Sequence, residues 1–271
     1  KKNRNRKSPK KPNASRVKKP TPGQIEKFFE AISIDHDLGA VKALVKENRG
    51  LLHVKFPDDS FNNCVMVAAR EDLPDFIDFF LDEGVDIDAV NEKKETAALL
   101  AGWMGSNLAL RKLIDRGANL KKLDESKKSA LYNAAQASEE ITTNMLLDAC
   151  DDPKELNIFD DLGDPLAFEI ISMGNAEILQ KALEKGMDIH VKHRDDEDDT
   201  LWERANRLEN SDEIIAVLDT WVKNVEKIKK EKEDQIKHNQ IAQKGQEAAQ
   251  SRLKKMMEMQ GKGIKIDKKK P

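Results

Sequence analysis

The chain is poor in cysteine. Cys64 and Cys150 are its two thiols, too few for a disulfide framework or a four-thiolate zinc site, which suits a reducing compartment. Long apolar runs are also missing. No stretch approaches the roughly 18 consecutive apolar residues of a membrane helix, and the charged amino end lacks a signal-peptide apolar segment. A transmembrane or conventionally secreted protein is therefore not expected. Aromatic residues make up 5% of the 271 positions, so each one placed in water calls for a reason. The sequence begins with Lys1 rather than Met, which reads as a fragment or a processed product.

Charge is abundant. Lys, Arg, Asp and Glu fill 36% of the chain, yet the net charge is only -3. The near balance hides segregation: residues 1 to 20 carry +10, residues 21 to 222 carry -21, and residues 223 to 271 carry +8. An acidic body between two basic arms invites different partners for each part.

A 33-residue period runs through the body. Ala68, Ala101 and Ala134 share one column, and Gly84, Gly117 and Cys150 another. Phe80, Leu113 and Leu146 form a third, followed by Leu81, Ile114 and Leu147, and then by Asp82, Asp115 and Asp148. Each unit reads as a short helix with small residues at its centre, a second helix ending in an apolar pair, then a Gly and a polar hairpin. One such unit cannot bury its apolar face alone, so the units must stack.

These stretches resemble the ankyrin-repeat family. Its Thr-Pro-Leu-His-x-Ala-Ala start is echoed by Ser129-Ala130-Leu131-Tyr132-Asn133-Ala134-Ala135. Its Gly-Ala-Asp-x-Asn hairpin entry is echoed by Gly117-Ala118-Asn119-Leu120 and Gly84-Val85-Asp86-Ile87-Asp88, and most closely by Gly174-Asn175-Ala176-Glu177-Ile178-Leu179 through Gly186-Met187-Asp188-Ile189. The resemblance covers about 24 to 222 and implies an all-α helix-turn-helix solenoid with short hairpin loops. The family's helix-start His is replaced by Met66, Leu99, Tyr132, Phe168 and Trp202, so its hydrogen bonds to neighbouring hairpins are expected to be lost.

The domain expectation is a basic disordered arm at 1–21, an ankyrin-like domain of about six repeats at 22–222, a charged helix at 223–260 and a basic tail at 261–271. Repeat one, at 24–57, caps the stack with Phe28, Phe29, Ile32, Val41 and Leu44 inward. In repeat five, counting back from Gly174 places Ile170 and Ile171 in the buried small-residue slots and leaves Glu169 on the open face. The alternative register would bury Glu169 without a partner, which is costly. An irregular acidic loop is expected at 194–199, and an unbroken helix from 211 to Gly245.

Ankyrin-like stacks imply a partner protein on the open side of the first helices and at the hairpin tips. The open-face slots are Val67, Arg70 and Glu71, then Leu100, Trp103 and Met104, then Asn133, Gln136 and Ala137. Glu169, Ser172 and Met173 follow in repeat five, and Glu203, Asn206 and Arg207 in repeat six. Trp103, with Leu100 and Met104, is the expected anchor, because Trp is enriched at interface hot spots. The tips are Glu92, Lys93, Lys94 and Glu95, then Glu125, Ser126, Lys127 and Lys128, then Asp160 and Asp161.

Catalysis is not expected, nor is a metal, a cofactor or a small-molecule substrate. His190 and His193 lack a third ligand of matching spacing, Asp35-His36-Asp37 has no accompanying nucleophile motif, and no Gly-rich loop cradles phosphate. The leading expectation is a non-catalytic scaffold or adaptor, intracellular and cytoplasmic, with a nuclear or host-cell destination as alternatives. A nucleic-acid complex subunit holding RNA, DNA or an anionic surface through its aromatic-free basic arms is the rival. A host-directed effector of an intracellular bacterium, and the targeting piece of a larger enzyme, are further readings.

Overall fold

The computed structural model describes residues 18–261. The arm and tail expectations fall almost wholly outside them. The architecture is all-α in the coarse sense, with twelve helices among the described residues. They come in pairs: α1 (Pro22–Ser33) with α2 (Leu38–Glu47), α3 (Cys64–Arg70) with α4 (Pro74–Asp82), and α5 (Ala97–Met104) with α6 (Asn107–Asp115). α7 (Ala130–Gln136) pairs with α8 (Glu140–Ala149) and α9 (Leu166–Ser172) with α10 (Ala176–Glu184), before α11 (Leu201–Ala205) and α12 (Ser211–Gly261). The chain divides into two units, up to Val217 and from Leu218 onward.

In the first unit α1, α3, α5, α7, α9 and α11 pack each on the next, and α4, α6, α8 and α10 form a parallel file. The starts of the first helices are set locally. Asn63, Thr96, Ser129 and Thr200 each accept the backbone N–H three residues on, from Met66, Leu99, Tyr132 and Glu203, which satisfies a donor the helix leaves free. Small or compact side chains then let the helices close on one another. Ala68, Ala101, Ala134, Ile170 and Ala205 occupy one column and are fully buried. At Gly102 a Cβ would lie 2.6 Å from the Ala130 carbonyl oxygen, so glycine there sets the approach of α5 to α7.

The acidic column is tied forward along the second helices. Asp82 pairs with Arg116 at 2.8 Å and Asp148 with Lys181 at 2.6 Å. These exposed pairs add modest stability; they also mean that part of the body's negative charge is locally answered.

Several expectations hold here and others are corrected. Phe28, Ile32 and Val41 are buried in the first pair, whereas Phe29 and Leu44 are only half-buried. Ile170 and Ile171 are fully buried with Glu169 half-exposed, as the Gly174 register requires. The acidic loop is ordered as an antiparallel pair, β1 (Lys192–His193) with β2 (Asp196–Thr200). Cys150 is extended (φ -76°, ψ 116°) rather than left-handed, so it does not mimic the glycine whose column it occupies.

The second unit is the remainder of α12. Its helix passes straight through Gly245, since one glycine costs only about 1 kcal/mol. Val225, Ile228, Ile236, Ile241, Leu253, Met256 and Met257 are all exposed along it. Among the described residues no helix is long and apolar enough to cross a membrane.

Candidate protein-interaction surface

The last turn of α5 carries the unusual exposure. Trp103 and Met104 are 47% and 49% exposed, with Leu100 half-buried one turn earlier. Gly105 ends the helix in the left-handed region (φ 67°), where a Cβ would meet the Glu139 carboxylate at 2.2 Å. The left-handed turn there, which glycine adopts at little cost and which Asp72 and Ser138 take at the corresponding turns, ends the helix and leaves Trp103 and Met104 at an edge.

The flanking slots are polar. On one side Arg70 is shared between Asp59 and Glu71, its Nε lying 3.0 Å from Glu71. On the other, Gln136 accepts from Lys128 at 3.0 Å and donates to Glu169 at 3.5 Å. Tyr132 donates its hydroxyl to the Asp164 carbonyl (3.3 Å) and lies 3.4 Å from Glu169. The expected loss of hairpin hydrogen bonds is thus corrected at this repeat: Tyr132 reaches the next hairpin. Burial, together with Asp164, raises the Glu169 pKa against the lowering effect of Lys128. Burial and the surrounding carboxylates Glu169, Asp160 and Asp164 likewise raise that of the Tyr132 phenol.

The hairpin tips form a ladder. Glu92 donates its backbone N–H to Ser60, Glu125 to Lys93, Asp161 to Ser126 and Arg194 to Gly163, at 2.9 to 3.5 Å. Within the loops, Asn91 accepts from Lys93 and Glu95, and Asp124 from Lys128. Lys94 and Lys127 take positive φ there. Glu92, Lys93, Lys94, Glu125 and Lys127 are exposed, with Glu95, Ser126 and Lys128 partly so.

Three expected contact residues are corrected. Val67 is fully buried and Asn133 is 6% exposed, because α3 and α7 are covered more completely by their neighbours than an exposed slot requires. Asp160 is 2% exposed, and its Oδ1 accepts from the N–H groups of Leu162, Gly163 and Asp164. It builds the tip from inside rather than presenting itself on it. Arg70, Glu71, Leu100, Gln136, Glu169 and Met173 are partly exposed, so Trp103 and Met104 are the most exposed apolar side chains of the helix slots, and Leu162, 69% exposed, adds an apolar residue at the third tip.

Arg204 was missed. Its guanidinium stacks 4.0 Å over the Phe168 ring and pairs with Asp199 (2.8 Å) and Asp164 (3.0 Å), a partly exposed arrangement that suits the planar cation. Thr200 as N-cap followed by Glu203 signals a helix start and shifts the last repeat by one position, placing Arg204 where Glu203 was expected. His190 and His193 serve the hairpin: His190 donates its N–H to Asp188, and His193 Nδ1 accepts from Asp195. Among the described residues no group of three or more His, Cys, Asp or Glu could hold a metal ion.

No family model matches the sequence, and no curated protein does. Solved structures do. One match is a chain of the Bdellovibrio bacteriovorus complex of the predatory endopeptidase Bd0816 with the immunity protein Bd3460. It is 22% identical with a TM-score of 0.59, and the match covers 74% of this chain and 99% of that one. At this identity the likeness shows the fold alone. The expectation that this chain is not an enzyme is nonetheless corrected: a chain with this fold belongs to an assembly that contains an endopeptidase, and the lack of a legible catalytic motif does not exclude an enzyme.

Proposed function

We propose that this chain is an ankyrin-like repeat stack that binds a partner protein across the open side of its first helices and its hairpin tips, as a scaffold or adaptor. The observation carrying the proposal is the pair Trp103 and Met104, about half exposed on a helix held by packing on both sides. A large aromatic on a pre-ordered backbone loses little entropy on binding and suits a hot spot. The 33-residue period, the two files of helices and the tip ladder support a repeat stack. The mixed charges of the tips Glu92, Lys93 and Glu125 suit steering and rejection of partners more than raw affinity. The structural neighbour's occurrence in a two-protein complex agrees with this reading.

The test is affinity capture from the source cells with the wild-type chain and Trp103→Ala side by side. The proposal expects a partner that the wild type retains and the variant loses, with the variant's circular dichroism unchanged. A folded variant that keeps every partner at unchanged affinity refutes the anchor.

A further inference from the structure

The 51-residue α12 leaves an apolar stripe in water. Val225, Ile228, Ile236, Leu253, Met256 and Met257 are each exposed on it. Wound at 3.5 residues per turn, these six fall within a stripe about 100° wide, whereas on a straight helix of 3.6 residues per turn they spread over about 160°. Ile241, exposed as well, lies off the stripe in either case. The seven-residue repeat puts Val225 and Leu253 at its a positions and Ile228, Ala242, Ala249 and Met256 at d. Charge follows the same repeat. Of the sixteen Lys, Arg, Asp and Glu residues from Lys223 to Glu258, Lys232 alone falls at a or d, and twelve fall on the opposite b, c and f positions. A seam that keeps a 3.5-residue period over this length fits another helix in a left-handed supercoil; packing on a globular surface needs only the 3.6-residue period.

We propose that α12 pairs with the α12 of a second copy of this chain, as a parallel, in-register coiled coil. The polar positions of the seam select an identical partner. Gln235 lies at d, and Asn239 and Gln246 lie at a, so in register each meets its own copy. A carboxamide both donates and accepts, so it pairs with an identical group, which neither a carboxylate nor an ammonium does. Gln235 already donates to Asn239 at 3.2 Å along the helix, which holds the two amides on one face. Lys232, also at a, has an acid within reach, because in a parallel pair the g position preceding it on the other helix is the partner's Glu231. Like charges do not meet along the flanks either: the g residues Asn224, Glu231 and Arg252 face Lys229, Ile236 and Met257 at e.

The measurement is sedimentation equilibrium of the full chain from about 1 to 200 µM. The mass should rise from the 30.6 kDa of one chain to twice that value. A dissociation constant of about 10 µM is expected, because the amides and Lys232 weaken the seam. Ile228→Lys combined with Leu253→Lys puts like charges face to face and should leave a monomer over the whole range; both positions are exposed in the single chain, so its circular dichroism at low concentration should not change. Ile241→Lys, off the seam, should keep the dimer. Asn239→Val should tighten association and admit masses above the dimer. Ile228→Cys and Met256→Cys, made separately, should each give a disulfide-linked dimer on mild oxidation, since Cys64 and Cys150 are buried and an antiparallel pair brings at most one of the two positions against its own copy. Trp103→Ala should leave the equilibrium unchanged, so the pairing holds or fails independently of that anchor. A chain that stays monomeric at every concentration assigns the stripe to some other helix and overturns the proposal. A dimer that survives the double Lys variant, or one in which either Cys variant fails to crosslink, overturns it equally.

Discussion

Gly102→Ala separates a reading based on columns from one based on packing. The same slot holds Ala69 in α3 and Ala135 in α7, so the repeat pattern argues that alanine is welcome in α5. Helix propensity agrees, favouring Ala over Gly by about 0.8–1 kcal/mol. The structure argues the opposite. The added Cβ would lie 2.6 Å from the Ala130 carbonyl oxygen, 3.2 Å from its carbon and 3.3 Å from its Cα. All three are backbone atoms, so no side-chain rotation relieves the contact and α5 must move away from α7. Such overpacking costs about 1–3 kcal/mol. A 2.6 Å approach to an immovable backbone atom puts the cost at the upper end of that range, about 2–3 kcal/mol, so the clash outweighs propensity, leaving a net loss of about 1–2 kcal/mol and a fall in melting temperature of about 2–8 °C for a unit of this size. Urea titration followed by circular dichroism measures it. Gly245→Ala is the control: a Cβ there meets nothing within 4 Å, so propensity acts alone and helicity should rise. A Gly102→Ala chain as stable as the wild type, or more so, would refute the close approach of α5 and α7.

Asp160→Ala removes the acceptor of three loop N–H groups and should cost about 2–4 kcal/mol, with amide exchange accelerating first at 161–164; Asp160→Asn, which keeps an oxygen there, should cost less. Glu169 has a pKa raised in the folded chain from its ordinary 4.5, so the folded state binds more protons than the unfolded one between that value and the raised one. Its contribution to stability therefore falls as pH rises through this window. Glu169→Gln should match or slightly exceed the wild type above the window, by less than about 1 kcal/mol, and lose the advantage below it. Denaturation midpoints across pH test the sign, and a large loss at neutral pH would contradict it. Cys64 is buried and its thiol is pushed up to about 12, and burial also raises the Cys150 thiol. Both should resist a thiol reagent at pH 8 until urea unfolds the chain, and rapid native labelling of Cys64 would refute its enclosure.

What could be read without coordinates was what depends on local chemistry and periodicity. The columns Ala68-Ala101-Ala134 and Phe80-Leu113-Leu146 predict buried helix faces because an element that repeats must bury the same side each time, and those residues are buried. Ser129 marks a helix start because a short polar side chain serves the free N–H groups best; that Asn63 and Thr96 do the same is seen in the structure. The register of repeat five was also legible, since an unpaired Glu169 in the core is too costly.

Residues whose fate depends on the neighbouring unit were decided by the tertiary structure. Val67 and Leu100 lie in equivalent slots, yet Val67 is sealed and Leu100 is only half-buried, a difference set by how closely adjacent helices cover each. Asp160 reads as a tip charge and becomes the internal acceptor of its loop, because the hairpin folds around it. Phe29 reads as core and becomes one wall of a groove beside α1, because Phe56 meets it from the following hairpin. A repeat sequence thus determines which face of each helix turns inward, but how much of the other face remains open depends on distances between units that no single repeat encodes.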